Sequence, residues 1–230
     1  MQRTTPIVLN LIIINVLVYL AQNFVTAIDI TEWGALHYFK SDAFMPHQFI
    51  TSMFIHSTDG LGHIFLNMFG LWMFGSILEN FWGSKRFLIF YLLCGLGGGI
   101  LTQLTIPYDA DMLIKSAQKT LPATAETQQA LAHLKQMFMQ QYSAYGASGA
   151  IMVILAAFAY LFPNTELYVM FIPIPVKAKY VVPVFILIDL FGGLHRIEGD
   201  NIGHFAHLGG ALVGLIIVYF WNKTNRKTFY

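Results

Sequence analysis

Residues 6–23 read PIVLNLIIINVLVYLAQN, a run without one charged side chain. Five more apolar runs follow, at about 61–78, 87–106, 144–162, 180–194 and 203–221. A helix that crosses the hydrocarbon core of a bilayer needs about 20 mostly apolar residues, because the backbone must satisfy its own hydrogen bonds there. Only 11% of the 230 residues are charged, against about 25% in a soluble domain, and the deficit runs along the whole chain. The expectation is an all-α integral membrane protein: a bundle of six transmembrane helices that uses residues 1–230 as a single membrane domain. The first run reads as a retained span, since it is long for a signal-peptide core and five similar runs follow it. The fifth is the shortest and carries Pro183 and Asp189. Residues 167–176 are also apolar, but Pro173 and Pro175 each lack a backbone donor, so that segment reads as an interfacial loop.

Lys and Arg in the loops set orientation. With the N-terminus in the cytoplasm, the inside segments hold Arg3, Lys85, Arg86, Lys177, Lys179, Lys223, Arg226 and Lys227. The outside segments hold Lys40, Lys115, Lys119, Lys135 and Arg196. The very short loop with Lys85 and Arg86 weighs most, and both termini are expected to be cytoplasmic. The simple layout, with no recognisable targeting extension, suits a multi-pass protein of a bacterial cytoplasmic membrane. A net charge of +1 provides no basic field for nucleic acid, and a single cysteine, Cys94, cannot form an internal disulfide. Two outer loops are long, 24–60 and 107–143. In the second, Leu131, Leu134, Met137 and Phe138 recur at spacings of three and four, which predicts an amphipathic helix. Such a helix could lie on the outer membrane surface or pack on the protein's own loops.

The second, fourth and sixth spans run in one direction, so polar residues near their starts share one depth. They bring His63 and Asn67, Ser148, and His204 and His207 into one layer near the outer face. At about 1.5 Å per residue, Ser148 and His207 both fall roughly 6–9 Å inside their spans. Polar groups inside a bilayer are costly, and their presence points to function. A serine hydroxyl becomes a nucleophile when a base takes its proton, and histidine is the usual base. A tetrahedral intermediate needs donors aimed at its oxyanion, which a histidine, an asparagine or helix N-terminal N–H groups supply. Gly146 and Gly149 flank Ser148, and Gly210 and Gly214 form a small-xxx-small face below His207 that admits close helix contact.

Each feature taken singly has a packing explanation: a small-residue helix contact, an interfacial histidine, an interhelical asparagine bond. Their agreement in depth favours chemistry. His63, His204 and His207 could be metal ligands, but the H-E-x-x-H pattern of helical zinc proteases is absent. No cofactor or metal is expected. An aspartyl protease would need two embedded aspartates, and only Asp189 lies clearly inside a span. Asp189 could relay protons in a transporter; a polar partner within the bundle is the preferred reading.

These residues carry a family resemblance that covers nearly all of the chain. GASG at 146–149, AHLGGALVG at 206–214 and HIFLN at 63–67, with TSMFIH before it, resemble the motifs of the rhomboid intramembrane serine proteases. The resemblance implies a rhomboid-like six-helix bundle and a Ser148–His207 catalytic dyad with no aspartate. It implies an oxyanion hole of His63, Asn67 and the Ser148 backbone N–H, shaped by Gly146. It implies as partners the lipid bilayer and transmembrane protein substrates, cut near the outer end of a helix at a small residue. Two departures stand out. Gln48 occupies a position where many members have arginine, and Met152 stands where many have an aromatic residue beneath the histidine. The alternative to a serine endopeptidase is a catalytically inactive rhomboid-like protein that binds transmembrane clients.

Overall fold

The protein is described by a computed structural model that places residues 4–168, 174–195 and 203–224. Arg3, Pro173, Arg196, Arg226 and Lys227, used above for orientation and loop assignment, lie outside the described residues. The first helix, α1, spans Pro6–Phe24 and begins as its sequence directs: Pro6, which has no N–H to satisfy, stands in the first turn. The connection to the second span is not bare loop. It holds α2 (Ile30–Gly34), strand β1 (Leu36–His37) and α3 (Gln48–Thr51). The second span comprises α4 (Gly62–Gly70), a π-helical segment at Leu71–Gly75 and α5 (Ser76–Trp82). Then come α6 (Ser84–Gln118), α7 (Ala125–Gln141), strand β2 (Ser143–Ala144) and α8 (Ser148–Leu161). Strands β3 (Glu166–Leu167) and β4 (Val176–Lys177) precede α9 (Ala178–Leu194) and α10 (His204–Thr224).

Among the described residues, four helical stretches are long and apolar enough to cross a membrane: Pro6–Phe24, Gly62–Trp82, Ser84–Gln118 and His204–Lys223. The expected fourth and fifth spans are shorter helices of 14 and 17 residues. Large apolar side chains such as Leu17, Phe65, Leu104 and Leu187 point outward. Water would penalise that surface, whereas lipid matches it. The interior is a packed cluster that includes Leu71, Leu78, Phe87, Phe90, Tyr91 and Ile154.

Three boundaries differ from the sequence reading, each for a local reason. First, residues 107–143 are largely helical. Helix α6 runs 35 residues, straight through Pro107. At 1.5 Å per residue that is about 50 Å, well beyond a hydrocarbon core of about 30 Å. Helix α7 folds back along its projecting end. The amphipathic helix expected around Leu131–Phe138 is present, and it packs on the protein itself. Leu131 is buried, Lys135 pairs with Asp111, and Ser41 Oγ donates to the Gln140 carbonyl at 2.7 Å. Second, the helix expected over 144–162 begins at Ser148, not at 144. Residues 143–144 pair with β1 instead, in the antiparallel register Leu36↔Ala144 and His37↔Ser143. Third, the two ends of the segment expected as an interfacial loop pair as short antiparallel strands, with Glu166↔Lys177 and Leu167↔Val176 in register.

Glycines set the helix directions and spacings. A Cβ on Gly210 would lie 2.4 Å from the Gly149 carbonyl oxygen, and one on Gly214 would lie 1.8 Å from Val153 Cγ1. The order of these contacts makes α8 and α10 parallel and nearly touching. His63 meets Gly146 and Gly70 meets Ile151, so α4 runs the same way. The starts of α4, α8 and α10 therefore share one end of the bundle.

At the opposite end sits Glu79, which is buried. Its Oε1 accepts from Ile7 N–H at 3.0 Å and from Ser84 Oγ at 2.6 Å. Its Oε2 accepts from Val8 N–H at 2.9 Å and from the Thr5 hydroxyl. A carboxylate on α5 thus caps the N-terminus of α1, where the helix dipole favours negative charge, and ties in the start of α6.

Candidate active site

Ser148 is the first residue of α8. Gly146, two positions before it, has φ of +127°, a conformation that L side chains avoid. A Cβ there would also lie 3.1 Å from His63 Nε2. The Gly146 N–H donates to the Ser52 carbonyl at 2.8 Å, which pins the loop. The positive φ stops the helix from extending backwards and explains why α8 starts at the serine. Ile151 N–H makes the first intrahelical bond, to Ala147 O at 3.0 Å. The N–H groups of the first turn before it, Ser148 included, point out of the helix without an intrahelical acceptor.

From α10, His207 places Nε2 2.8 Å from Ser148 Oγ. Its other ring nitrogen, Nδ1, lies 3.0 Å from Oδ1 of Asp189 on α9. His204 Nδ1 lies 2.8 Å from the same oxygen. The resemblance implied a dyad without an aspartate, and the sequence preferred Asp189 as a bundle contact. The described geometry makes Asp189 such a bundle partner, and in doing so lines up serine, histidine and aspartate across three helices. A carboxylate accepts, so the Nδ1 proton of His207 points at Asp189 and the Nε2 lone pair faces the serine hydroxyl.

Two further donors come from α4 and its approach. Ser57 N–H donates to His63 Nδ1 at 3.3 Å, which leaves the His63 proton on Nε2, the atom beside Gly146. Asn67 is buried, and its Nδ2 has no hydrogen-bond partner among the described residues. A buried donor without a partner is costly, and a ligand oxygen would satisfy it. His56, from the TSMFIH stretch, packs its ring edge-on to His63 with centroids 5.2 Å apart. Burial and then the His63 ring push His56 down to about 4, so it stays neutral. Its backbone is clasped by Gln22 of α1, with bonds of 3.1 Å and 2.9 Å. Sequence reading left His56 without a role; the clasp by Gln22 comes from 34 positions earlier in the chain.

Gln48 organises the first connection. It is buried; Oε1 accepts from His37 N–H at 3.3 Å and Met45 N–H at 3.1 Å, and Nε2 donates to Ala43 O at 3.0 Å. Gln103 of α6 extends the tie, accepting from Phe39 N–H at 2.8 Å and donating to His37 O at 2.6 Å. Strand β1 is thereby held against β2, directly upstream of Ser148. Met152 is half-buried on α8.

A family model described as the Rhomboid domain matches residues 43–223. The chain is 30% identical over 212 residues to "RHOMBOID-like protein 12, mitochondrial" of Arabidopsis thaliana, covering 92% of this chain and 53% of that protein. It is 25% identical to "Rhomboid protein 1, mitochondrial" of Saccharomyces cerevisiae, covering 72% of this chain and 39% of the relative. It is also 25% identical to "Rhomboid-like protein 11, chloroplastic" of Arabidopsis thaliana, covering 93% of this chain and 64% of the relative. The chain thus spans about half the length of such relatives. Their names place them in organelles, which overturns the expected bacterial cytoplasmic membrane and leaves the multi-pass membrane character standing. The expectation failed because span layout and loop charges identify a bilayer without saying which one.

Proposed function

The chain belongs to the rhomboid family, and from that premise we propose that it is an intramembrane serine endopeptidase. The observation that carries the reading is the 2.8 Å contact between Ser148 Oγ and His207 Nε2 at the start of two parallel, closely packed helices. Its substrates are membrane proteins, cut near the end of a transmembrane helix at the face where α4, α8 and α10 begin. The six spans are α1, α4–α5, α6, α8, α9 and α10, with the start of α1 and the end of α10 on the opposite face of the bundle, the cytoplasmic-type side in the charge reading. An organellar membrane is the location that the named relatives support.

In the reaction, Ser148 Oγ attacks the substrate carbonyl carbon as His207 Nε2 takes the hydroxyl proton. The carbonyl oxygen becomes an oxyanion, held by the Ser148 N–H, His63 Nε2–H and Asn67 Nδ2–H. The positive end of the α8 dipole lies at the same point. His207 returns the proton to the leaving amine as the C–N bond breaks. Water then attacks the acyl-serine with His207 as base again, and the carboxyl product leaves. Gly146 keeps the space between His63 and Ser148 open for the carbonyl.

The test is cleavage of a transmembrane substrate by purified protein in liposomes. Ser148→Ala and His207→Ala are each expected to lower the rate at least about a thousandfold. Variants that cleave as fast as the parent sink the dyad. A parent that binds the substrate without cutting it supports the client-binding alternative.

A further inference from the structure

We propose that Asp189 is a positioning residue for His207, holding its Nδ1 proton so that Nε2 is presented to Ser148 as a base. The inference rests on the protease reading above. It goes beyond a two-residue mechanism, because it assigns a third helix to the orientation of the base.

Several observations converge on it. Asp189 is buried on a helix that is otherwise apolar around it, FILIDLFGG. An acid in such a place persists only with partners. Its Oδ1 receives two imidazoles, His204 at 2.8 Å and His207 at 3.0 Å. A purely structural tie between α9 and α10 needs only the first of these. The second is made to the ring whose far nitrogen contacts the serine, so it fixes both the tautomer and the tilt of that ring.

The frame around the carboxylate is rigid. A Cβ on Gly192, one turn beyond Asp189, would lie 2.4 Å from His204 Nε2, so the His204 ring sits against bare backbone. The Tyr108 hydroxyl donates to the Leu194 carbonyl at 3.1 Å, and the Tyr108 ring packs edge-on to Phe205. The end of α9 is thereby held to both α6 and α10. The groups that face His207 are Asp189 on α9, His204 on its own helix, Ser148 on α8 and, across Gly146, His63 on α4. Among these four Asp189 alone is acidic, and it lies opposite the serine on the ring. His204 has a defined part in this arrangement: it shares Oδ1, so it anchors the carboxylate whose remaining acceptor capacity serves His207.

The test combines Asp189→Asn and Asp189→Glu with Ser148→Ala and His207→Ala controls in the same liposome assay. Asparagine can offer its NH2 group to Nδ1 and so favour the unproductive tautomer. Asp189→Asn is expected to lower kcat about a hundredfold or more, with KM unchanged. Asp189→Glu is expected to recover most of that loss. Substrate affinity measured in the Ser148→Ala background is expected to be the same with and without Asp189→Asn. The proposal is overturned if Asp189→Asn keeps the parent kcat. It is overturned equally if the loss comes with weakened substrate binding and a lowered thermal midpoint that glutamate does not restore. If the Ser148 and His207 controls cleave like the parent, the protease reading itself falls, and the positioning role falls with it.

Discussion

Two buried carboxylates, Glu79 and Asp189, lie at opposite ends of the same bundle and are served in opposite ways. Glu79 has both oxygens filled, each by one backbone N–H and one hydroxyl. None of those donors titrates in the ordinary range. Among the described residues, Asp189 has its contacts on one oxygen, and both partners are imidazoles. One of these imidazoles also touches a serine. A carboxylate saturated by fixed dipoles is a staple: it joins α1, α5 and α6 and leaves nothing to react. A carboxylate bound by proton carriers can set which nitrogen holds a proton. Burial is similar at the two sites, so burial alone does not distinguish structure from chemistry. The identity of the donors does.

That contrast predicts different failures. Of the two carboxylates, Asp189 carries the larger effect on turnover: Asp189→Asn lowers kcat about a hundredfold or more with little loss of stability. Glu79→Gln gives the reverse. It turns one acceptor oxygen into an NH2 group facing buried donors, and should cost about 1.5–3 kcal/mol. Thermal unfolding in detergent would show the drop, while kcat per folded molecule stays at the parent value. If Glu79→Gln also lowers kcat, the two ends are coupled and the division of labour is wrong.

Between these lies Gly210→Ala. The added methyl would meet the Gly149 carbonyl at 2.4 Å and Val153 Cγ2 at 2.8 Å. It must push α10 away from α8 and so lengthen the Ser148–His207 bond. A displacement near 1 Å costs about a hundredfold in rate, so kcat should fall by about tenfold to a hundredfold, a smaller loss than from Asp189→Asn and larger than from any change at Glu79. Unchanged activity would mean that helix spacing does not set the contact.

The smallest effect concerns His56. Its imidazole is held to about 4 in the folded protein against an ordinary 6.5. Between those values the unfolded chain takes up a proton that the folded protein refuses. The His56 contribution is therefore fully favourable above about pH 6.5 and is lost progressively as pH falls toward 4. His56→Gln should flatten this part of the stability profile, measured by thermal unfolding across that range. An unchanged slope would place the acid sensitivity elsewhere.

Much of the arrangement was legible in the sequence. Apolar runs located the helices, and the co-directional second, fourth and sixth spans put His63, Asn67, Ser148 and His207 at one level. Gly210 and Gly214 signalled the close contact that the structure makes. Three features were hidden. Helix α6 continues through Pro107, because the loss of one backbone bond is outweighed by packing against α7, which local propensity does not register. Helix α8 starts at Ser148, because residues 143–144 find a strand partner more than a hundred positions earlier in the chain. Asp189 read as a bundle contact, because a lone acid in an apolar run does not reveal which helix it faces. In each case the deciding contact is distant in sequence.

The central claim is that His207 activates Ser148 for attack. A fluorophosphonate probe on the purified protein, followed by peptide mass spectrometry, tests it directly. The expected result is a single adduct on Ser148, abolished by His207→Ala and strongly slowed by Asp189→Asn. Labelling of Ser148 that proceeds equally well without His207, or an adduct on another residue, would contradict it.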